Sequence, residues 1–177
     1  MTDSPVSDST TVTDASSAGG PASGASPESV ATSPEVGAGS PGAAAINGTF
    51  TGGFTTLLGL EFVEVGPDRV VGRWTIRPEL WQPYGIVHGG VYCGVIESMA
   101  SVAGAVWLGD RGQVVGVNNT TDFLRAVRTG DLRAEATPLH RGRSQQLWQV
   151  LITDEQDRLI ARGQVRLQNL TSTPSGA

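Results

Sequence analysis

Between Leu80 and Gly109, the most apolar stretch of the chain, there is one formally charged side chain, Glu97. Cys93, Glu97 and Ser101 follow at i, i+4 spacing, so on a helix they share one face. Gly90 and Gly94 lie close to that face. A carboxylate taken out of water is costly unless paired, its proton affinity rises, and such groups concentrate in functional sites. A structural Glu paired with an Arg of a neighbouring element fits the same pattern. His88-Gly89-Gly90 comes just before, where a helix start leaves backbone N–H groups without intrahelical partners. Those donors, helped by the helix dipole, can hold a developing oxyanion, and two glycines let a carbonyl approach the backbone. A polar N-terminal His88 and a tight glycine entry explain those residues equally well.

Helix geometry adds one deduction. Gly89 and Glu97 are eight positions apart, about 12 Å along the axis at roughly 1.5 Å per residue. A Glu side chain does not span that. If both act on one substrate, they come from different chains, and two antiparallel helices about a two-fold axis would pair Gly89 of one with Glu97 of the other. Cooperation between the two therefore implies at least a dimer.

The elements that must position these residues can be read coarsely. Thr49–Gly59 suggests a short helix. Leu60–Val65 and Arg69–Ile76 read as strands joined by the Gly66–Asp68 turn, and Leu80–Val87 as irregular, with Pro83 and Gly85 as breakers. From Gly89 to about Leu108 apolar residues appear on every side, which predicts a helix buried all round. A membrane span is disfavoured, because a central acid costs about 2.5–3.5 kcal/mol on insertion. Four strands follow, Gln113–Leu124, Asp131–His140, Ser144–Asp154 and Arg158–Leu170. The fold class is α+β, a curved antiparallel sheet wrapped around one central helix.

Composition bounds the rest. Residues 1–45 hold no Lys, Arg, Leu or aromatic residue and read as a disordered low-complexity tail; the folded domain is 46–170, and 171–177 a flexible end. The tail lacks the basic start and apolar run of a secretory signal. The net charge of −5 argues against nucleic acid as a partner. All 12 basic residues are Arg, the first being Arg69, so the folded part is locally cationic and suits a small polyanion. One Cys and two His speak against a disulfide framework and a metal site. No membrane is implied, and a soluble cytoplasmic protein is the expectation. The Asn-x-Thr sequons at Asn47, Asn118, Asn119 and Asn169 read as chance matches.

With QPYGIVHGG (Gln82–Gly90) followed by ESMAS (Glu97–Ser101), the chain resembles the hotdog-fold acyl-CoA thioesterases. The likeness runs from about Leu58 to Leu170. It is strongest to the branch of the Arthrobacter-type 4-hydroxybenzoyl-CoA thioesterase, 1,4-dihydroxy-2-naphthoyl-CoA hydrolase and the phenylacetate-pathway enzymes; VVGVN, LRAVRTGDLRA and PLHRGRSQQLWQVLI also look like this branch. The resemblance implies that Glu97 is the catalytic carboxylate, as nucleophile or general base, and that the Gly89 N–H polarises the thioester carbonyl. His88 and Gln82 would position the thioester, and Ser101 would hold the water or the carboxylate. No separate cofactor is implied; coenzyme A, as part of the substrate, would lie along an edge made by Phe123, Leu124, Arg125 and Ala126 with His140, Arg141, Gly142, Arg143, Ser144 and Gln145. Arg125, Arg141 and Arg143 are suited to its phosphates, and Gly116 matches a further contact position. An aromatic acyl group, a homo-oligomeric dimer of dimers and, for a naphthoyl substrate, a place in menaquinone biosynthesis belong to the same implication. Phe123 stands where some members carry His, Ala126 where many carry Pro, and the long tail is not a family feature.

Two other functions compete. A hydratase or dehydratase on this scaffold would leave the thioester intact, but the chain has no His-Phe-Pro stretch of that type. An acyl-CoA-binding regulatory module would keep the cationic edge and need no Glu97 with Ser101. Cys93 reads as a small buried apolar residue.

Overall fold

A computed structural model describes residues 41–49 and 52–171. The elements are α1 (Pro41–Thr49), α2 (Gly53–Leu58), β1 (Glu61–Val65), β2 (Val70–Thr75), α3 (Gly89–Leu108), β3 (Gly112–Phe123), β4 (Asp131–Arg141), β5 (Gln145–Asp154) and β6 (Leu159–Thr171). The expected α+β class is what forms: one six-stranded antiparallel sheet in the order β1-β2-β4-β5-β6-β3, curled round α3.

Period-2 alternation makes the inner face. In β5, Gln146, Trp148, Val150, Ile152 and Asp154 are buried while their neighbours are not. Beneath α3 the sheet offers small residues, Ala134, Ala136, Ala161 and Gly163, so Val95, Ile96, Met99 and Ala100 of the helix lie fully buried. A β-carbon at Gly163 would stand 2.9 Å from Ile96 Cγ2, so only glycine admits the helix there. Each large side chain buried in this way contributes about 1.5–3 kcal/mol. By length and composition α3 could cross a membrane, yet it is the core helix, clasped by the sheet.

The outer face of the sheet is charged. Arg69 bridges Glu64 and Glu135, and Arg133 also reaches Glu135. The Arg69 hydrogen bond, with Arg133 beside it, holds the Glu135 carboxyl below the usual range.

The N-terminal boundary differs from the sequence reading. Residues 41–45 were expected in the tail but form the first half of α1; Ala43 packs into the core, 1% exposed. Proline suits a first helical position and alanine the turns after it. The Asn47 amide donates to Phe62 O and accepts from Phe62 N, both at 2.9 Å, so α1 covers the outer edge of β1. The helix expected over Thr49–Gly59 is shorter, Gly53–Leu58, closed by Gly59 in the left-handed region (φ 73°). The expectations for residues 1–40 and 172–177 lie outside the described residues.

At the opposite edge, β3 leaves one side without a strand partner among the described residues. Val115 and Val117 are exposed along it.

Candidate active site

The segment before α3 is a tight loop. Trp81 pairs with Val87, Gln82 N donates to Ile86 O at 2.8 Å, and Gly85 turns the chain with φ 70°. The Gln82 side-chain oxygen accepts from Tyr84 N at 3.1 Å, and its NH2 group has no acceptor among the described residues. His88 is the N-cap: its Nδ1 accepts from Gly90 N at 2.9 Å, and its carbonyl accepts from Val91 N at 2.9 Å. Two of the first donors of α3 are thus taken by His88 itself. The Gly89 N–H has no acceptor among the described residues. His88 therefore does what the plainer sequence reading expected, and by doing so it singles out the Gly89 donor.

Gly89 lines a cavity of about 540 Å³. Gln82, His88 and Gly89 line it together with Phe123, Leu124, Arg125 and Ala126. A β-carbon at Gly89 would lie 2.9 Å from Phe123 Cζ, so the aromatic ring sits directly against the helix start. The segment is held from both sides: Leu124 N and Arg125 N donate to Ile160 O, and Val127 O accepts from Val87 N.

Tyr92 forms the inner wall, 3% exposed, with its ring centroid 6.0 Å from that of Phe123. Its buried hydroxyl has no hydrogen-bond partner among the described residues. Burial pushes the phenol up from 10.0 to about 12. The folded chain keeps this proton over an interval in which the unfolded chain has lost it, so stability falls as pH rises from about 10 towards about 12. In thermal melts across that interval, Tyr92→Phe is expected to flatten the decline. At neutral pH it should melt no lower than the native protein, since no hydrogen bond is lost. A marked fall in its neutral-pH Tm would refute the unpaired hydroxyl.

Glu97 lies two turns further along α3, half-buried, and outside the cavity wall. Its Oε2 accepts from Asn119 Nδ2 at 3.0 Å, and the same amide nitrogen donates to Cys93 O at 3.1 Å. Thr121 Oγ1 donates to Asn119 Oδ1 at 2.8 Å. A β-carbon at Gly116 would overlap Glu97 Oε1, so the glycine makes room for the carboxylate. No guanidinium pairs with Glu97 among the described residues, which removes the structural ion-pair alternative within the chain. Ser101 is half-buried one turn on, and its hydroxyl has no hydrogen bond among the described residues. The small residue Gly94 has a different use: it seats the Phe54 ring of α2.

Asn119 escaped the sequence reading except as a sequon. Strict alternation puts positions 116 and 119 on opposite faces of β3. A bulge between Gly116 and Asn118 brings both inward, opposite the buried Leu167 and Val165. Asn119 and Asn169 both spend their amide nitrogens in internal hydrogen bonds.

The expected coenzyme A edge does not form within one chain. Phe123–Ala126 lie at the start of α3, whereas His140–Gln145 lie at its far end. Arg141 stacks over Trp107, 5.6 Å from the ring centroid, and donates to Pro67 O and Asp68 Oδ1 at 2.9 and 2.7 Å. Trp107 is 18 positions from Gly89, about 27 Å along the helix. Arg141 is thus committed to the β1–β2 turn rather than free for phosphate. Arg125 and Arg143 are exposed and have no acidic partner among the described residues. Asn169 Nδ2 holds the carbonyls of Gly142 and Arg143, both at 3.1 Å, and Asn169 N donates to Ser144 O at 2.8 Å. Gln145 pairs with Gln168 at 3.1 Å, and His140 is exposed. Among the described residues no three of His, Cys, Asp or Glu come together as a metal site.

The arrangement has relatives. The thioesterase superfamily pattern matches residues 84–161. The Mycobacterium tuberculosis (strain H37Rv) protein Rv1847 is 56% identical over 124 residues, covering 68% of this chain and 89% of that one. Its solved structure superposes with a TM-score of 0.67 over 98% of its length. The proofreading thioesterase EntH of Cronobacter turicensis is 35% identical over 114 residues, 64% of this chain and 83% of its own. The 1,4-dihydroxy-2-naphthoyl-CoA hydrolase of Escherichia coli K12 is 33% identical over 115 residues, 65% of this chain and 85% of its own. With its wrapped core helix and these relatives, the chain belongs to the hotdog-fold thioesterase superfamily and is a thioester hydrolase.

Proposed function

We propose that this protein is a cytoplasmic acyl-CoA thioesterase with a preference for aromatic acyl groups, working as a homodimer or a dimer of dimers. The observation that carries the proposal is the uncommitted N–H of Gly89, a residue that lines the same cavity as Tyr92 and Phe123. The thioester carbonyl accepts from Gly89 N–H, at the positive end of α3, and from the Gln82 NH2 group. The His88 Nε2–H edge is left to face the substrate, since Nδ1 caps the helix. Glu97 lies about 12 Å along the same helix, so the acting carboxylate is that of a second copy. It attacks the carbonyl carbon or takes the proton of an attacking water, and both routes release free acid and the thiol of coenzyme A. Ser101 holds that water or the carboxylate. Arg125, beside the cavity, and Arg143, from the far end of another chain, supply charge to the phosphates. The naphthoyl substrate in the name of the E. coli relative supports an aromatic acyl group, as do the ring walls.

The test is thiol release by the native protein from benzoyl-CoA and from a short aliphatic acyl-CoA. Release from both, with the larger kcat/KM for benzoyl-CoA, is expected. Faster release from the aliphatic substrate overturns the aromatic preference. Tight coenzyme A binding with no release from either supports a binding module instead. Loss of an enoyl-CoA chromophore without free thiol supports a hydratase.

A further inference from the structure

We propose that Asn119, oriented by Thr121, is the positioning residue for Glu97 and makes Oε1 the reacting oxygen. The proposal rests on the reading of Glu97 as the acting carboxylate. A Glu side chain on a half-open helix face has three rotatable bonds and two equivalent oxygens. The Asn119 amide removes both freedoms. One of its N–H bonds is fixed on the Cys93 carbonyl at 3.1 Å, a group of the helix itself, and the other on Glu97 Oε2 at 3.0 Å. The amide thus clips the carboxylate to the backbone of its own helix one turn back. The orientation of the amide follows from its partners: the Cys93 carbonyl and the Glu97 carboxylate only accept, so the NH2 end faces them, and Oδ1 is left to take the Thr121 hydroxyl proton at 2.8 Å.

The other oxygen is treated differently. Oε1 lies over Gly116, where any side chain would overlap it, and it receives no hydrogen bond among the described residues. It keeps its lone pairs for a water proton or for the thioester carbon. The β3 bulge is what allows this division, since it brings Gly116 and Asn119 to the same face. Among the described residues no charged side chain shares the task. On β3, Asp122 is on the other face in an ion pair with Arg162 of β6 at 2.9 Å. Arg166 of β6 pairs in register with Asn118, on that same outer face. α2 contains no titratable residue, and Cys93 is the other titratable side chain on the Glu97 stripe of α3.

The experiment compares Asn119→Ala, Asn119→Asp and Thr121→Val in the full-length protein, each with and without Glu97→Gln, using thiol release from benzoyl-CoA. Asn119→Ala is expected to lower kcat by about 10- to 100-fold with KM changed less than about twofold. Thr121→Val, further from the carboxylate, should give a smaller loss of the same kind. Asn119→Asp keeps the shape and the Thr121 bond but places an acceptor where the donor stood. It should be worse than Asn119→Ala, whereas a space-filling role predicts the reverse. In the Glu97→Gln background, Asn119→Ala should add less than about twofold, because the two residues act as one unit. Native kcat in Asn119→Ala, a better kcat for Asn119→Asp, or a pure KM effect would overturn the proposal while leaving Glu97 in place. Full activity in Glu97→Gln alone would remove the catalytic reading of Glu97 and this proposal with it.

Discussion

Glu97→Gln is expected to slow release of coenzyme A by about 10²- to 10⁴-fold while the protein keeps its native melting temperature. Two physical arguments separate these outcomes. The carboxylate is half-buried, receives one hydrogen bond, from Asn119, and has no cation beside it among the described residues. Among the described residues its charge is met by that one hydrogen bond and by no ion pair, and neutralising a partly desolvated carboxylate costs little folding energy. Glutamine has the same length, and its carbonyl oxygen can still accept from Asn119. What it loses is chemical. An amide oxygen is a poor nucleophile towards a thioester and a negligible base towards water, so neither route to the acid remains. The measurement is kcat for thiol release beside a thermal melt. Native kcat in the variant would dismiss Glu97 as the acting group. A lowered kcat with a collapsed Tm would show that the carboxylate is structural after all.

How much of this was legible in the sequence depends on the kind of signal. The unbroken apolar run gave α3 its bounds, Gly89 to Leu108, because a helix clasped by a sheet needs apolar residues on nearly all sides. The strands were legible from alternation and turn residues. The sequence marked His88 and Gly89 without dividing a capping role from a catalytic one; the structure shows the cap, made by His88 Nδ1. Asn119 was not legible, because period-2 counting fails at a bulge and nothing in VVGVNNTTD marks where the extra residue falls. Phe123–Ala126 and His140–Gln145 stand apart within one chain for a reason that strand length contains. β4 lies between them, and its 11 residues span about 35 Å. Those two segments can meet on one ligand only across chains, and the same holds for Gly89 and Glu97.

Mixing two inactive variants should therefore restore activity. Gly89→Pro removes the uncommitted N–H and little else. Proline is favoured at the first position of a helix, and His88 already has φ −67° and ψ 135°, the extended conformation that a residue before proline prefers. The added ring meets Phe123, which is 55% exposed and free to swing away. Loss of one oxyanion donor is expected to lower kcat by about 10²- to 10³-fold. Gly89→Ala, which meets the same ring but keeps the N–H, serves as the control and should stay far closer to native. In a dimer of Gly89→Pro with Glu97→Gln, one site carries both lesions. The other combines an intact Gly89 from one chain with an intact Glu97 from its partner. Random reassociation from denaturant makes about half the dimers mixed, so the mixture should recover about one quarter of native activity. If each chain served its own site, every site would keep one lesion and the mixture would stay as inactive as its components.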